Sequence, residues 1–188
     1  MSRQFWSETL TWATADGTAV TNSIAETILF PNVTIPANYL QDGRTLRLSV
    51  YGRYSNVVTA VPTLTFRARW GGVAGTVIAS SGAMVCSAAA IANAMWKLEM
   101  IIQVRSNGAT GTVFAVGNVE LGTATAPTSG TVTNYGMESL MGSAGVATPA
   151  AVTVDLTADT ALALTVTWSA ASASNSIQGH VYTIEALN

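Results

Sequence analysis

The sequence predicts an all-β protein, an antiparallel β-sandwich of jelly-roll type with about eight to ten strands and little helix. Apolar residues recur at every second position in several segments, which is the periodicity of a strand with one buried face. Gly, Pro, Asn and Asp separate these segments, as turn residues do. The segments follow one another without the intervening helices of a parallel sheet, which favours antiparallel pairing.

The clearest strand is predicted over residues 94–106. Its apolar residues of one parity are Trp96, Leu98, Met100, Ile102 and Val104. Ile101 is an exception, because it is apolar on the face that should be exposed to solvent. Asn107-Gly108 follows the strand and is a strong hairpin signal, so residues 111–121 are predicted to return as its antiparallel partner. The apolar residues of this partner are Val113, Phe114, Val116 and Val119.

The remaining strands are assigned in chain order from the same alternation. Pro31 and Pro36 mark the ends of two short strands near the start of the domain. Residues 80–93 contain many alanines, which favour helix, but their Gly, Val and Ser residues fit a short strand and a loop better. The strands predicted in this way cover residues 25–30, 33–38, 44–54, 63–70, 76–79, 151–156, 161–169 and 176–187.

One domain is predicted over residues 24–188, preceded by an N-terminal arm over residues 1–23. The arm carries aromatic residues in an otherwise polar stretch, so we expect it to pack on something, either its own domain or a neighbour. Residues 122–149 form the longest stretch without periodicity and are predicted to be a long loop. Four residues within it, Tyr135, Met137, Leu140 and Met141, indicate that part of this loop packs.

Charged residues make up only 10% of the chain, against a typical value of about 25%, and there is a single lysine. A net charge of −2 gives little protection against association, so we favour a surface that is buried against copies or partners. The alternative is a neutral β surface under little electrostatic demand. The chain has no basic run for nucleic acid and no apolar run long enough to span a membrane, so neither partner is predicted.

Few residues of the chain are candidates for catalysis or metal binding. His180 is the only histidine and Cys86 the only cysteine, so neither a catalytic triad nor a zinc site is supported. It is geometrically possible for Glu99 and Glu120 to face each other across the predicted hairpin, but two carboxylates on a solvated sheet face are a weak indication of a glycosidase. We predict no catalytic, cofactor or metal site, and a protein that is not an enzyme.

A glycan site is a second, weaker hypothesis. Tyr51 and Tyr54 lie on or near the predicted outward face of their strand, where aromatic rings can stack on sugars. Trp70 and Trp168 share the parity of the buried residues and are assigned to the core. The two tyrosines are therefore the candidate glycan contacts.

Several segments carry a resemblance to a known group of proteins. They are Arg44-Thr-Leu-Arg-Leu-Ser-Val-Tyr-Gly, Leu64-Thr-Phe-Arg-Ala-Arg-Trp-Gly-Gly, Trp96-Lys-Leu-Glu-Met, Val104-Arg-Ser-Asn-Gly, Val166-Thr-Trp-Ser-Ala and Ile184-Glu-Ala-Leu-Asn. Over residues 24–188 the chain resembles small jelly-roll virion proteins of tailed bacteriophages. The resemblance implies a capsid decoration or cement protein, or the knob of a tail fibre, and it implies a homotrimer. Composition by itself implies only association.

We therefore expect a non-enzymatic virion protein that stabilises the shell by burial between subunits. Its expected partners are copies of itself and the major capsid protein or another virion protein, on the capsid surface rather than the tail, after synthesis in the host cytoplasm. The candidate assembly contacts are Phe5, Trp6, Trp12, Ile101, Tyr135 and Met137. The alternative is a tail-associated knob that binds a receptor or glycan; the sequence contains no stalk repeat, which favours the capsid.

Overall fold

The computed structural model describes residues 7–56, 61–87, 89–122, 137–143 and 149–187. Within these residues every helix or strand assigned is a strand, and all pairings are antiparallel. The strands are β1 (Ser7–Trp12), β2 (Val20–Thr21), β3 (Thr27–Ile28), β4 (Val33–Ile35), β5 (Thr45–Asn56), β6 (Thr63–Trp70), β7 (Thr76–Ser80), β8 (Met84–Val85), β9 (Ile91–Ser106), β10 (Gly111–Leu121), β11 (Met137–Met141), β12 (Val152–Val154), β13 (Thr160–Trp168) and β14 (Ser176–Leu187).

The strands form two sheets that pack face to face. Sheet A has the order β1-β14-β5-β9-β10-β11, with β12 also paired to β10 and β2 to β14. Sheet B has the order β3-β13-β6-β7, with β4 also paired to β13 and β8 to β6. The predicted all-β sandwich of jelly-roll type is confirmed.

The core lies between the sheets and is made by alternate residues of the long strands. In β5 and β6 every second residue is buried, as the sequence alternation predicts. Trp96 is 1% exposed and packs against the ring of Phe66, with the ring centroids 5.3 Å apart. Its indole Nε1–H donates to the carbonyl of Gln178 at 3.1 Å, and its ring lies over Gly52, where a larger residue has no room. β9, which contains the clearest strand predicted from the sequence, therefore lies within sheet A between β5 and β10.

The predicted hairpin between β9 and β10 is confirmed, but one boundary differs from the prediction. The connection consists of residues 107–110, as the predicted strand ends require, and Gly108 adopts a positive φ of 105°. The side-chain carbonyl of Asn107 accepts a hydrogen bond from the Gly108 N–H at 2.7 Å, which stabilises this turn. β9 begins at Ile91 rather than at residue 94, because Ile91 pairs with Asn56 beyond an irregularity in the ladder.

Two segments that the sequence places outside the strands contribute to sheet A. Within the predicted loop 122–149, residues 137–141 form β11 and pair with β10, whereas residues 123–136 and 144–148 lie outside the described residues. Within the predicted arm 1–23, β1 and β2 both pair with β14. Residues 7–23 therefore pack on their own domain rather than projecting from it, and residues 1–6 lie outside the described residues.

β1 is also held by side chains. The carboxylate of Glu8 accepts hydrogen bonds from the phenol of Tyr39 at 2.5 Å and from the guanidinium of Arg44 at 3.1 Å. The same guanidinium lies over the ring of Tyr39, 3.9 Å from its centroid. Burial, followed by the hydrogen bond to Glu8, raises the pKa of Tyr39 to about 12. These contacts attach the first described strand to the segment that leads into β5.

Candidate functional site

The strand register brings side chains from neighbouring strands into rows on the outer face of sheet A, the face that points away from sheet B. One row contains Val181, Tyr51, Lys97, Glu120 and Glu138. The next contains Trp12, Thr183, Ser49, Glu99, Asn118 and Leu140. A third contains Thr9, Glu185, Arg47, Ile101 and Val116. Residues far apart in sequence thus form one continuous surface.

This face carries most of the exposed large apolar side chains of the described residues. Six of the eleven lie on it, and these are Trp12, Met95, Ile101, Val116, Leu140 and Val181. Trp12 is 60% exposed and Leu140 is 61% exposed. The other five are Ile24, Val61, Val73, Val85 and Met137. Ile101 and Val116 are paired in the ladder, whereas Trp12 and Leu140 lie at opposite edges of the sheet with polar side chains between them.

A groove of about 650 Å³ crosses the same face between β5 and β11. It is lined by Arg47, Ser49, Glu99, Met100, Ile101, Val116, Gly117, Asn118, Glu138, Leu140 and Glu185. A second depression of about 330 Å³ adjoins it and shares Glu138. The groove therefore combines apolar side chains with amide and carboxylate groups.

Four of the eight charged side chains on this face form two ion pairs. Arg47 donates to the carboxylate of Glu185 at 2.5 Å, and Lys97 lies 2.9 Å from the carboxylate of Glu120. The hydrogen bond to Glu120 is the main cause of a raised pKa at Lys97. The face carries four cations (Arg47, Arg53, Lys97, Arg105) and four carboxylates (Glu99, Glu120, Glu138, Glu185), so it is neutral overall without being uncharged.

The structure excludes the opposition of Glu99 and Glu120 that the sequence allows. Glu99 faces Asn118 in the ladder, and Glu120 faces Lys97. The phenol of Tyr51 donates to Glu99 at 3.2 Å. The two carboxylates therefore have different partners, and the register gives no support to a catalytic pair.

The structure places the two candidate glycan contacts, Tyr51 and Tyr54, in different environments. Tyr51 is half-buried on the outer face of sheet A, beside the groove. Tyr54 is 2% exposed, because its position has the parity of the core, and its phenol donates to the carbonyl of Gly122 at 2.6 Å. Burial, with a contribution from Cys86, raises the pKa of Tyr54 above its ordinary value. Tyr54 is therefore not available as a surface contact.

The candidate assembly contacts are brought together only in part. Trp12 and Ile101 lie on the outer face of sheet A, and Ile101 is 37% exposed. Met137 is 43% exposed at the start of β11, on the opposite parity. Phe5, Trp6 and Tyr135 lie outside the described residues.

Several residues of this face were not among the candidate contacts predicted from the sequence. Val116 shares a strand with Val113 and Val119, which are buried, but its even position directs it outward. The alternation along β10 could therefore have identified Val116 as a residue of the outer face. Leu140 belongs to β11, which the sequence did not predict, and Val181 follows a register irregularity that changes the parity of β14.

Other polar clusters serve the fold. On the outer face of sheet B, Glu26 bonds both nitrogens of the Arg69 fork, at 2.5 and 2.8 Å, and also Arg67 at 3.3 Å. Burial raises the pKa of Glu26, but hydrogen bonds from Arg69 and Thr165 and the two arginine charges outweigh it, so the pKa lies below its ordinary value. His180 lies 2.8 Å from Asp16.

Neither a group of metal ligands nor a membrane-spanning helix is found in the part of the chain that the structure describes. No three His, Cys, Asp or Glu side chains in this part group as metal ligands would. No helix in it has the length and apolar character needed to cross a bilayer.

Burial raises the pKa of the Cys86 thiol to about 12.

No protein-family model matches the chain, and no curated protein matches it. One solved structure with a detectable likeness is the CBM2 module of the evolved Dit of Lactobacillus casei BL23 phage J-1. The match covers 99% of this chain and 98% of that one, with 10% sequence identity and a TM-score of 0.39. At this identity and TM-score the likeness says nothing about what this chain binds.

Proposed function

We propose that the chain is a non-enzymatic structural protein of a tailed-bacteriophage virion, and that it decorates and cements the capsid. The outer face of sheet A docks on the major capsid protein or another virion protein. The resemblance of residues 24–188 to phage virion jelly rolls supports the virion assignment. The low charge of the chain supports a role in assembly.

The observation that carries this proposal is that six of the eleven exposed large apolar side chains of the described residues lie on one sheet face. They come from β1, β14, β9, β10 and β11, so they spread across the sheet rather than converging on one pocket. A broad apolar surface fits a protein partner better than a single small molecule. For this reason we favour a docking protein over a glycan-binding knob.

The paired charges of this face are compatible with burial. An unpaired charge is costly to remove from water, but Arg47 and Lys97 already have carboxylate partners within the chain. Burial of the apolar side chains makes the free energy of docking favourable, by roughly 25 cal/mol per Å² of apolar surface removed from water. Repetition of the contact over many copies strengthens attachment to a shell through multivalency.

Binding to particles that lack the protein tests the proposal. Ile101→Lys and Val116→Lys each place a charge in the apolar part of the face, and we expect the double variant to lower the affinity for particles by about 10- to 100-fold. Val73→Lys is the matched control, because Val73 is equally exposed, at 38%, but lies in the turn between β6 and β7. Occupancy of the double variant equal to that of the wild type would overturn the docking role.

A glycan-binding knob on the tail remains the second candidate because of one specific observation. Tyr51, exposed Trp12 and the polar groove share one sheet face, so an aromatic ring and hydrogen-bonding side chains lie side by side. Tyr51 with Asn118 and Glu138 would be the contacts of such a site. A glycan array probed with the wild type and Tyr51→Ala tests it.

A further inference from the structure

We infer that Asn107 is a site of spontaneous deamidation, and that its conversion to aspartate or isoaspartate loosens the tip of the β9–β10 hairpin. The site lies in the turn over residues 107–110, at one end of sheet A. It involves none of the exposed apolar side chains of the outer face. The modification and the docking proposed for that face are therefore independent of each other.

Asn107 is the only asparagine of the chain that precedes a glycine. Deamidation begins when the backbone nitrogen of the following residue attacks the side-chain amide carbon of the asparagine. A side chain on the following residue crowds this approach, and glycine has none. Among the asparagines of the sequence, Asn107 is therefore the one where the attack meets the least steric hindrance.

The structure holds the two reacting groups close together. The N–H of Gly108 donates to Oδ1 of Asn107 at 2.7 Å. The carbon Cγ of Asn107 is one carbonyl bond from that oxygen, so it lies no more than about 3.9 Å from the Gly108 nitrogen. This separation is near the ~3–3.5 Å from which a positioned nucleophile attacks. The folded turn thus favours ring closure over an extended arrangement of the same two residues.

A second contact fixes the orientation of the Asn107 amide. Its Nδ2 donates to Oε1 of Gln41 at 2.9 Å, and Nε2 of Gln41 donates in turn to the carbonyl of Asn38 at 2.8 Å. The amide is therefore held at both of its polar atoms, with Cγ turned toward the Gly108 nitrogen. Residues 109 and 110 are exposed, so the water that the reaction consumes reaches the turn.

The reaction needs no reactant other than water. The Gly108 nitrogen gives its proton to hydroxide and forms a bond to Cγ of Asn107, the C–N bond of the side-chain amide breaks, and its nitrogen leaves as ammonia. The product is a five-membered succinimide. Water then opens this ring at Cγ, which gives aspartate, or at the backbone carbonyl carbon, which gives isoaspartate.

Both products weaken the contact between the hairpin tip and residues 38–43. The new carboxylate has no hydrogen to donate, so its second oxygen meets Oε1 of Gln41 as one acceptor against another. A flip of Gln41 would supply a donor but would break its bond to the Asn38 carbonyl. Asp42 places a like charge on the same turn. Isoaspartate also lengthens the backbone before Gly108, whose φ of 105° shapes the turn.

Peptide mapping by mass spectrometry tests the modification on the full-length wild-type chain. The chain is incubated in mildly alkaline buffer made with heavy-oxygen water, so that each newly formed product carries one labelled oxygen atom. We expect Asn107 to convert at least about tenfold faster than Asn22, and to give both aspartate and isoaspartate. Asn22 is the internal control, because it is exposed and has a positive φ of 46° but precedes a serine. Conversion of Asn107 no faster than that of Asn22, or aspartate without isoaspartate, would overturn the inference.

Hydrogen exchange of Asn107→Asp, which copies the aspartate product, tests the loosening. The amides of Gly43 and Arg44 donate to the carbonyls of Val104 and Gln41, and we expect them to exchange about threefold or more faster than in the wild type. Asn22→Asp makes the same chemical change elsewhere and should leave both rates unchanged, and circular dichroism verifies that each variant is folded. Unchanged rates in Asn107→Asp, or equal acceleration in Asn22→Asp, would overturn the loosening of the hairpin tip.

Discussion

Ile101 lies directly opposite Val116 in the β9–β10 ladder, and both side chains are more than a third exposed. Cross-strand apolar pairs stabilise a sheet, but here the pair sits on the face that water reaches. The next outward pair along the ladder is Glu99 with Asn118, and Arg47 faces Ile101 from β5, so polar groups border the apolar pair on two sides as they do at the centre of an interface.

Gly52→Ala tests the packing of the sandwich at its most crowded point. A Cβ at this position would contact the carbonyl of Gln178 and would lie 2.6 Å from the indole nitrogen of Trp96. We expect a loss of about 1–3 kcal/mol in the free energy of unfolding, measured by urea denaturation. Ser49→Ala on the outer face of the same strand is the control, and a Gly52→Ala chain as stable as the wild type would contradict this packing.

The cluster around Glu26 predicts an acid sensitivity. The pKa of Glu26 is lowered in the folded chain, so its contribution to stability is fully present above the unfolded value of 4.5 and is lost as the pH falls through the folded-state value. Glu26→Gln should cost about 1–3 kcal/mol at pH 7. It should also flatten the decline of stability below pH 4.5, whereas Asp42→Asn should not. Parallel pH profiles for Glu26→Gln and the wild type would contradict this role.

Glu8 is predicted to hold β1 on the sheet. Glu8→Ala removes the acceptor of the Tyr39 and Arg44 hydrogen bonds. Hydrogen exchange of the amides of residues 7–12 should accelerate by about fivefold or more, with no change in β9. Thr9→Ala, on the outer face of the same strand, is the control. Unchanged exchange in Glu8→Ala would show that backbone pairing alone fixes the strand.

Tyr51 and Tyr54 are predicted to respond differently to substitution. Tyr54→Phe removes the bond to the Gly122 carbonyl and should lower the free energy of unfolding by about 1 kcal/mol, without altering any glycan binding. Tyr51→Ala should leave stability nearly unchanged. If the glycan alternative holds, Tyr51→Ala alone should abolish the signal on a glycan array. Equal loss of binding in both variants would contradict the assignment of Tyr51 as the contact.

The alternation of apolar and polar residues correctly predicted the strands that have one buried and one exposed face. In β6 the residues Leu64, Phe66, Ala68 and Trp70 are buried as their parity requires, and β9 with β10 forms the predicted hairpin. Parity also separates Tyr51 from Tyr54, although both were placed on or near the outward face. Thr165 shows the limit of the same rule: its parity in β13 is that of the outer face of sheet B, yet Glu26 covers it and it is 0% exposed.

The candidate site was less predictable because it depends on pairing between distant strands. Ile101 could be recognised from its own strand, but its neighbours Val116 and Leu140 are set by the register of β10 and β11. β11 is five residues long and lies in a stretch of Gly, Thr and Ser, where no alternation is visible. Trp12 was expected on an arm, and its place beside Thr183 follows only from the pairing of β1 with β14.

Hydroxyl-radical footprinting of the chain, free and bound to particles, tests the central claim most directly. The account predicts that labelling of Trp12, Ile101, Val116 and Leu140 falls on the particle, while labelling of Ile24 and Val73 stays unchanged. Equal labelling of the outer face of sheet A in both states, with protection elsewhere, would contradict the claim that this face docks on the virion.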